Sequence, residues 1–117
     1  MAANCLRFLG AARVAGPAGP LAGLQLCSRD DDTVGTVEGV LIDPPARRVR
    51  YFVIKRPGSR EQYLLSADTP VHVEQEPRVG RLESDRAELA LELFDPESVS
   101  PFTEEDAVTA MFARAAA

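Results

Sequence analysis

The chain has few of the side chains that most often carry chemistry. It contains one histidine, His72, two cysteines and no tryptophan in 117 residues. Cys5 and Cys27 are too far apart for a Cys-x-x-Cys motif, and no zinc-ligand spacing, phosphate-binding loop or dinucleotide motif is found. We therefore expect reduced thiols, a cytoplasmic location, no bound metal or cofactor, and no enzymatic activity.

Long apolar runs are also missing. No stretch approaches the roughly 20 apolar residues of a membrane-spanning helix. The region before Asp30 has no acidic residue and is rich in Ala and Gly, but Arg13, Gly16-Pro17 and Gly19-Pro20 interrupt its apolar runs. Because a secretory leader has a continuous apolar segment of about 7–15 residues, we interpret residues 1–20 as a loosely ordered N-terminal arm. A cleaved leader is the alternative.

Lysine is nearly absent, since Lys55 is the only one. This preference for Arg, with abundant Ala and Pro, indicates a GC-rich bacterial genome. The chain has 13 basic and 18 acidic residues and a net charge of −5, which argues against general nucleic-acid binding. The length is that of one domain.

The chain instead has short apolar runs separated by turn signals, which is typical of a mainly β protein. They predict strands at Leu21–Ser28, Thr33–Asp43, Arg48–Lys55, Tyr63–Ala67, Val71–Glu74 (resuming at Arg78–Glu83) and Glu88–Phe94. The last run also has the composition of a helix, but its period of two favours a strand. Gly35 and Gly39 in the second strand indicate that this strand curls, as strands in small barrels do.

The third strand has two dissimilar faces. Val49, Tyr51 and Val53 point one way and are predicted core residues. Arg48, Arg50, Phe52 and Ile54 point the other way. Phe52 and Ile54 then need a cover, either another segment of this chain or a partner.

Residues after Pro101 predict a C-terminal helix. Thr103 is a candidate N-cap, and Glu104, Glu105 and Asp106 lie in the first turn, where the helix dipole favours negative charge. Val108, Met111 and Phe112 form one apolar stripe. We expect this stripe to dock on Phe52 and Ile54.

The stretch VGTVEGVLIDPPARRVRYFVIK, residues 34–55, resembles the PRC-barrel family, named for the cytoplasmic domain of the photosynthetic reaction-centre H subunit. A related barrel occurs in a ribosome maturation factor. The resemblance covers about residues 21–94, although Leu65-Ser66 replaces the Val-Pro usual in the fourth strand. Together with the six strands predicted above, it implies a small six-stranded PRC-barrel-like β-barrel over residues 21–95. The linker and helix predicted over residues 96–117 lie outside the family's common core, as does the N-terminal arm.

Candidate catalytic groups are sparse. His72 lies on the polar face of a strand, and Ser66 and Asp68 lie near it in sequence without a nucleophile-elbow motif. Glu38 has no paired acid. Asp30, Asp31 and Asp32 lack the spaced oxygen ligands of a calcium loop. We interpret all of these as surface or turn residues.

Arginine is concentrated around the hairpin, at Arg47, Arg48, Arg50, Arg56 and Arg60. This set is either a basic docking edge for carboxylates or phosphates or a solvated edge that resists aggregation. The resemblance implies a non-enzymatic adaptor or assembly module that binds another protein. Candidate contact residues are Arg48, Arg50, Phe52 and Ile54, and the last two could also pair in a homodimer. A small-ligand-binding regulatory barrel and an RNA-associated assembly module are the alternatives.

Overall fold

The computed structural model describes residues 6–16, 19–75, 78–85 and 89–107. Its strands in chain order are β1 (Arg7–Gly10), β2 (Ala15–Gly16), β3 (Gly19–Pro20), β4 (Gln25–Cys27), β5 (Thr33–Asp43), β6 (Arg48–Lys55), β7 (Gln62–Ser66), β8 (Val71–Gln75), β9 (Arg78–Leu82), β10 (Glu92–Phe94) and β11 (Ser100–Pro101). Short 3-10 turns occupy Ala11–Arg13 and Pro96–Ser98. Within the described residues, no helix has the length and apolar character needed to cross a membrane.

The strands form one large sheet and a small ribbon. Nine strands share the sheet, whose main path runs β10-β7-β6-β5-β4-β9-β8, while β1 joins β5 and β11 joins β1. β2 and β3 pair separately. The mainly β prediction is confirmed, but the predicted strand number of six is wrong. Among the described residues the path ends at β10 and β8 without closing, so the predicted barrel closure is not observed.

The central hairpin β5–β6 has the predicted bounds and two irregularities. Val37 pairs with Ile54 and Gly39 with Val53, so Glu38 is an extra residue in β5. Leu41 pairs with Tyr51 and Ile42 with Val49, so Arg50 is an extra residue in β6. Such β-bulges bend a strand and increase its twist. They also interrupt the strict alternation of faces assumed from the sequence.

Both faces of the hairpin are covered by apolar residues. The first cluster contains eight buried residues: Ala11, Leu24, Leu26, Val34, Val37, Ile54, Leu65 and Leu82. The second cluster is smaller, with Leu41, Val53 and Phe94 buried and Leu6, Phe8, Tyr51, Leu64 and Val99 packed against them. Val53 and Tyr51 therefore belong to the core, as predicted.

Ile54 is covered by other segments of this chain, which is the first of the two alternatives that the sequence left open. Its relative exposure is 0% because residues of β4, β5, β7 and β9 surround it in the first cluster. Phe52 is half-buried and packs against the same cluster. A period of two separates the two faces of a strand, but it does not tell whether both faces are covered.

The N-terminal segment contributes to the sheet. Arg7–Gly10 form β1, where the sequence predicts a loosely ordered arm, and pair antiparallel with Gly39–Ile42 of β5. Leu6 and Phe8 pack on the second cluster, and Ala11 is buried in the first. Residues 1–5 and 17–18 of the predicted arm lie outside the described residues.

The two ends of the described chain meet at β1. β11 lies parallel to β1, and the Phe102 backbone N–H donates to the Phe8 carbonyl at 2.8 Å. Residues 104–107 are helical, and the predicted cap at Thr103 is confirmed because its Oγ1 accepts from the Asp106 N–H at 3.3 Å. Val108, Met111 and Phe112 lie outside the described residues, so their predicted docking remains a prediction.

Candidate functional site

One candidate surface is the end of the β5–β6 hairpin, here called the hairpin tip and defined by Arg47, Arg48 and Arg50. The turn before it is locally specified: the Ala46 N–H donates to Asp43 Oδ1 at 3.3 Å, and the Arg47 N–H donates to the Pro44 carbonyl at 3.1 Å. Arg47 has a φ of 53°, so it ends the turn in the left-handed region. Its exposed side chain has no ion-pair partner within the described residues.

The other two arginines of the hairpin tip make weak ion pairs. Arg48 Nη2 lies 3.4 Å from Asp68 Oδ1, and Arg50 Nη2 lies 3.5 Å from Asp43 Oδ2. The arginine side chains are 51% and 42% exposed, respectively. Exposed pairs of this kind contribute about 0–1 kcal/mol. Both guanidinium groups can therefore exchange these contacts for those of a partner at little cost.

The five arginines of this region do not form one continuous edge. Arg56 and Arg60 belong to the β6–β7 turn, at the opposite end of β6 from the hairpin tip. At a rise of about 3.3 Å per residue, Arg48 and Arg56 lie roughly 25 Å apart along the strand. The predicted basic edge is thus two separate groups.

The second group includes a structured aromatic contact. The Arg56 guanidinium lies 5.4 Å from the centre of the Tyr63 ring, and its Nη1 donates to the Tyr63 hydroxyl at 3.5 Å. Leu93 of β10 is the direct cross-strand partner of Tyr63. Because guanidinium groups are attracted to the faces of aromatic rings, Arg56 is favoured beside Tyr63 and so lies near Leu93.

Leu93 is the exposed large hydrophobic residue of the described chain, at 66%. It lines an open hollow of about 360 Å³ together with Arg60, Glu61, Gln62, Phe94, Asp95 and Pro96. We call Leu93, Tyr63, Arg56 and Arg60 the Leu93 patch. Nothing in the sequence indicated this patch, because Leu89, Leu91 and Leu93 alternate regularly and the pattern does not separate Leu93 from the other two. Leu89 and Leu91 do pack against the first core cluster.

A third group of charges holds the turn between β4 and β5. Arg81 contacts Asp31 Oδ1 at 2.6 Å, Glu74 Oε2 at 3.2 Å and the Ser28 carbonyl at 3.3 Å. The hydrogen bonds to Glu74 and then Asp31 raise the pKa of Arg81 above its ordinary value. Buried Ser28 accepts from the Asp32 N–H and donates to Asp30. We interpret this network as a structural tie between β4, β8 and β9.

The candidate catalytic residues are not brought together. His72 is exposed on β8 opposite Arg81 of β9. Ser66 Oγ accepts from the Asp68 N–H at 3.2 Å, which is a local turn contact. Within the described residues, no hydrogen bond links His72 to Ser66 or to Asp68. No group of three or more His, Cys, Asp or Glu residues that could hold a metal occurs in the described part of the chain.

Comparison with known proteins identifies the family. No curated protein matches the chain. The family model of the PRC-barrel domain matches residues 18–87, which is more than half of the chain and includes β3 to β9. β1 and β10, which contribute Phe8 and Phe94 to the second core cluster, lie outside the matched region, as does β11. The chain therefore belongs to the PRC-barrel domain family.

Proposed function

We propose that this PRC-barrel protein is a non-enzymatic adaptor that acts in the cytoplasm and binds another protein through its hairpin tip. The observation that carries the proposal is the cluster of Arg47, Arg48 and Arg50 at one end of a chain whose net charge is −5. The contact prediction for Arg48 and Arg50 is retained. Ile54 is no longer included because it is buried.

The proposed partner presents carboxylates on its surface. Guanidinium groups match carboxylates in a two-bond geometry that a lysine cannot make. The hairpin tip already binds Asp43 and Asp68 through long contacts of 3.5 and 3.4 Å. A partner with better-placed carboxylates can replace Asp43 and Asp68 in these contacts. The remaining surface of the chain is acidic and repels such a partner, which favours docking at the hairpin tip.

The structure also supports an ordered backbone at the hairpin tip. The pairing of β5 with β6 extends from the Thr36 and Lys55 pair to the Asp43 and Arg48 pair. Each face of the hairpin contacts one of the two core clusters. A hairpin backbone that is already ordered loses little further conformational freedom on binding, and this lowers the cost of association.

The test is affinity capture from host lysate with chemical cross-linking, using the wild-type chain and the double variant Arg48→Glu/Arg50→Glu. We expect proteins that cross-link to wild type through acidic segments to be lost with the double variant. The matched control is Arg13→Glu, which reverses one exposed charge away from the tip and should retain the partner.

Circular dichroism and melting temperature establish that each variant is folded. A partner that binds the double variant as well as wild type contradicts the proposal. So does a captured species that proves to be RNA, since ribonuclease treatment would then abolish the binding.

A further inference from the structure

A second interaction surface lies at the opposite end of β6 from the hairpin tip. It is the Leu93 patch, at the outer edge of the sheet. Phe94 is 7% exposed and packs in the second core cluster, so the neighbouring Leu93 points to the other face of the short strand β10 and is 66% exposed. A single exposed leucine is common on monomeric proteins. The residues around Leu93 therefore decide whether it marks an interface.

The neighbours of Leu93 are of the kinds that dominate protein interfaces. Tyr63 lies directly across from Leu93, with the Arg56 guanidinium held over its ring. Tyr and Arg are enriched among the residues that contribute most to binding, especially beside a central apolar contact. Since Arg56 already contacts Tyr63, ordering the two side chains on association costs less than ordering two that make no contact.

The strand that carries Leu93 also has an available edge. β10 is the last strand of the main sheet path and pairs with β7 alone among the described strands. An edge strand presents backbone N–H and C=O groups that can pair with another strand. Leu93 and this edge together offer both an apolar anchor and backbone hydrogen bonds.

The charges around Leu93 indicate which partner fits. Arg60, which lines the hollow, and Arg56, which lies over the Tyr63 ring, supply positive charge, while Glu61 and Asp95 of the hollow supply negative charge. A partner of one charge sign would be repelled by part of this surface. A second copy related by a twofold axis uses the same mixed-charge patch on both sides, so the cations of each copy can face the anions of the other.

We propose that two copies of this chain associate around a twofold axis at the Leu93 patch, with the β10 edges adjacent and each Leu93 seated against the hollow beside Arg60 and Asp95 of the other copy. The residues of this dimer surface differ from Phe52 and Ile54, which the sequence suggested as the residues that pair in a homodimer. The proposal is independent of the proposed function, because the hairpin tip is not part of the dimer surface.

The test is the mass of the purified full chain, measured by light scattering after size exclusion over a dilution series. Wild type should have twice the mass of one chain at high concentration. Leu93→Glu should raise the dissociation constant of the dimer by roughly tenfold or more, as expected for the loss of a central interface residue. Gln75→Glu is the matched control, because it places the same charge on an exposed residue of β8, at the other end of the sheet path.

Melting curves at a dilution where all three proteins are monomeric should show that Leu93→Glu remains folded. A wild-type protein that is monomeric at every concentration overturns the proposal. A Leu93→Glu variant that dimerises as tightly as wild type also overturns it, as does equal weakening by Gln75→Glu. Arg48→Glu/Arg50→Glu should leave the dimer intact, so failure of the proposed adaptor function and failure of the dimer are distinguishable.

Discussion

Arg7, from the first described strand, forms an ion pair with Asp106, from the last described turn, with 3.3 Å between Nε and Oδ1. The Asp106 side chain is only 14% exposed. The same carboxylate accepts from the Thr103 N–H at 2.9 Å and from the Thr103 hydroxyl at 3.1 Å. The Asp106 side chain thus links the two ends of the described chain and also caps the helical turn that begins after Thr103.

Asp106→Asn should therefore lower the free energy of unfolding by about 1–2 kcal/mol, since it removes a charged capping contact and a partly buried ion pair. Urea denaturation followed by circular dichroism measures the change. Glu105→Gln removes one negative charge from the neighbouring exposed position and should have little effect. Equal losses in the two variants would show that net charge, rather than the Arg7 contact, is responsible.

Gly39 provides a second test of how β1 is attached. A Cβ at Gly39 would lie 2.6 Å from the Leu9 carbonyl oxygen and 2.6 Å from Cε1 of the Phe8 ring. Gly39→Ala should push β1 away from β5 and cost about 1–3 kcal/mol, as overpacking does. Thermal melting and hydrogen exchange of the β1 amides report the change.

The control for this substitution is Gly10→Ala. Gly10 is the cross-strand partner of Gly39, yet a Cβ at Gly10 would meet nothing within 4 Å. Its stability should be close to that of wild type. If both alanines destabilise the protein equally, close approach at Gly39 is not the reason for glycine there.

Ile54 tests whether the second face of β6 is enclosed by this chain itself. Because Ile54 is fully buried in the first core cluster, Ile54→Ala should cost about 2–5 kcal/mol through lost burial and the cavity that remains. Lys55→Ala changes the exposed neighbour on the same strand and should stay within about 0.5 kcal/mol of wild type. A small effect of Ile54→Ala, measured by denaturant titration, would contradict the burial of Ile54 in the first core cluster.

Arg81 gives a prediction about pH. The hydrogen bonds to Glu74 and Asp31 raise the pKa of Arg81 above its ordinary value. A raised pKa contributes stability that is fully present below the ordinary pKa and is lost only as pH rises through the raised one. Arg81→Gln should lower the melting temperature by the same amount at every pH between about 7 and 10, where arginine stays charged.

The melting temperature of Arg81→Gln is compared with that of Arg13→Gln, which removes an exposed arginine of the Ala11–Arg13 turn. The Arg13 variant should melt close to wild type throughout. A difference between Arg81→Gln and wild type that shrinks steadily over this pH range would contradict the role assigned to Arg81.

Local sequence signals were sufficient for the central hairpin. Alternating apolar residues and the Asp43-Pro44 turn predicted the bounds of β5 and β6, because pleating and turn geometry depend on neighbouring residues. The exposure of His72 between the partly buried Val71 and Val73 followed from the same alternation. The family resemblance was carried by this part of the chain and is confirmed.

Long-range pairing could not be predicted in this way. β1 consists of four residues in a segment rich in Ala and Gly, and it becomes a strand because Gly39–Ile42 of β5 pair with it. The bulges at Glu38 and Arg50 also depend on register between strands. For the same reason the sequence could not show that Ile54 is enclosed from several strands while Leu93, in an equally regular pattern, remains exposed.

The placement of the two surfaces at opposite ends of β6 determines how a dimer would meet its targets. Ile54 of β6 pairs with Tyr63 of β7, which in turn pairs with Leu93 of β10. Along β6, Ile54 lies roughly 20 Å from Arg48 of the hairpin tip. Association through the Leu93 patch would leave two hairpin tips directed away from the twofold axis. A target with two acidic sites at a matching span would then be held with avidity, since the second contact forms at a high effective concentration. Two separate targets would instead be bridged.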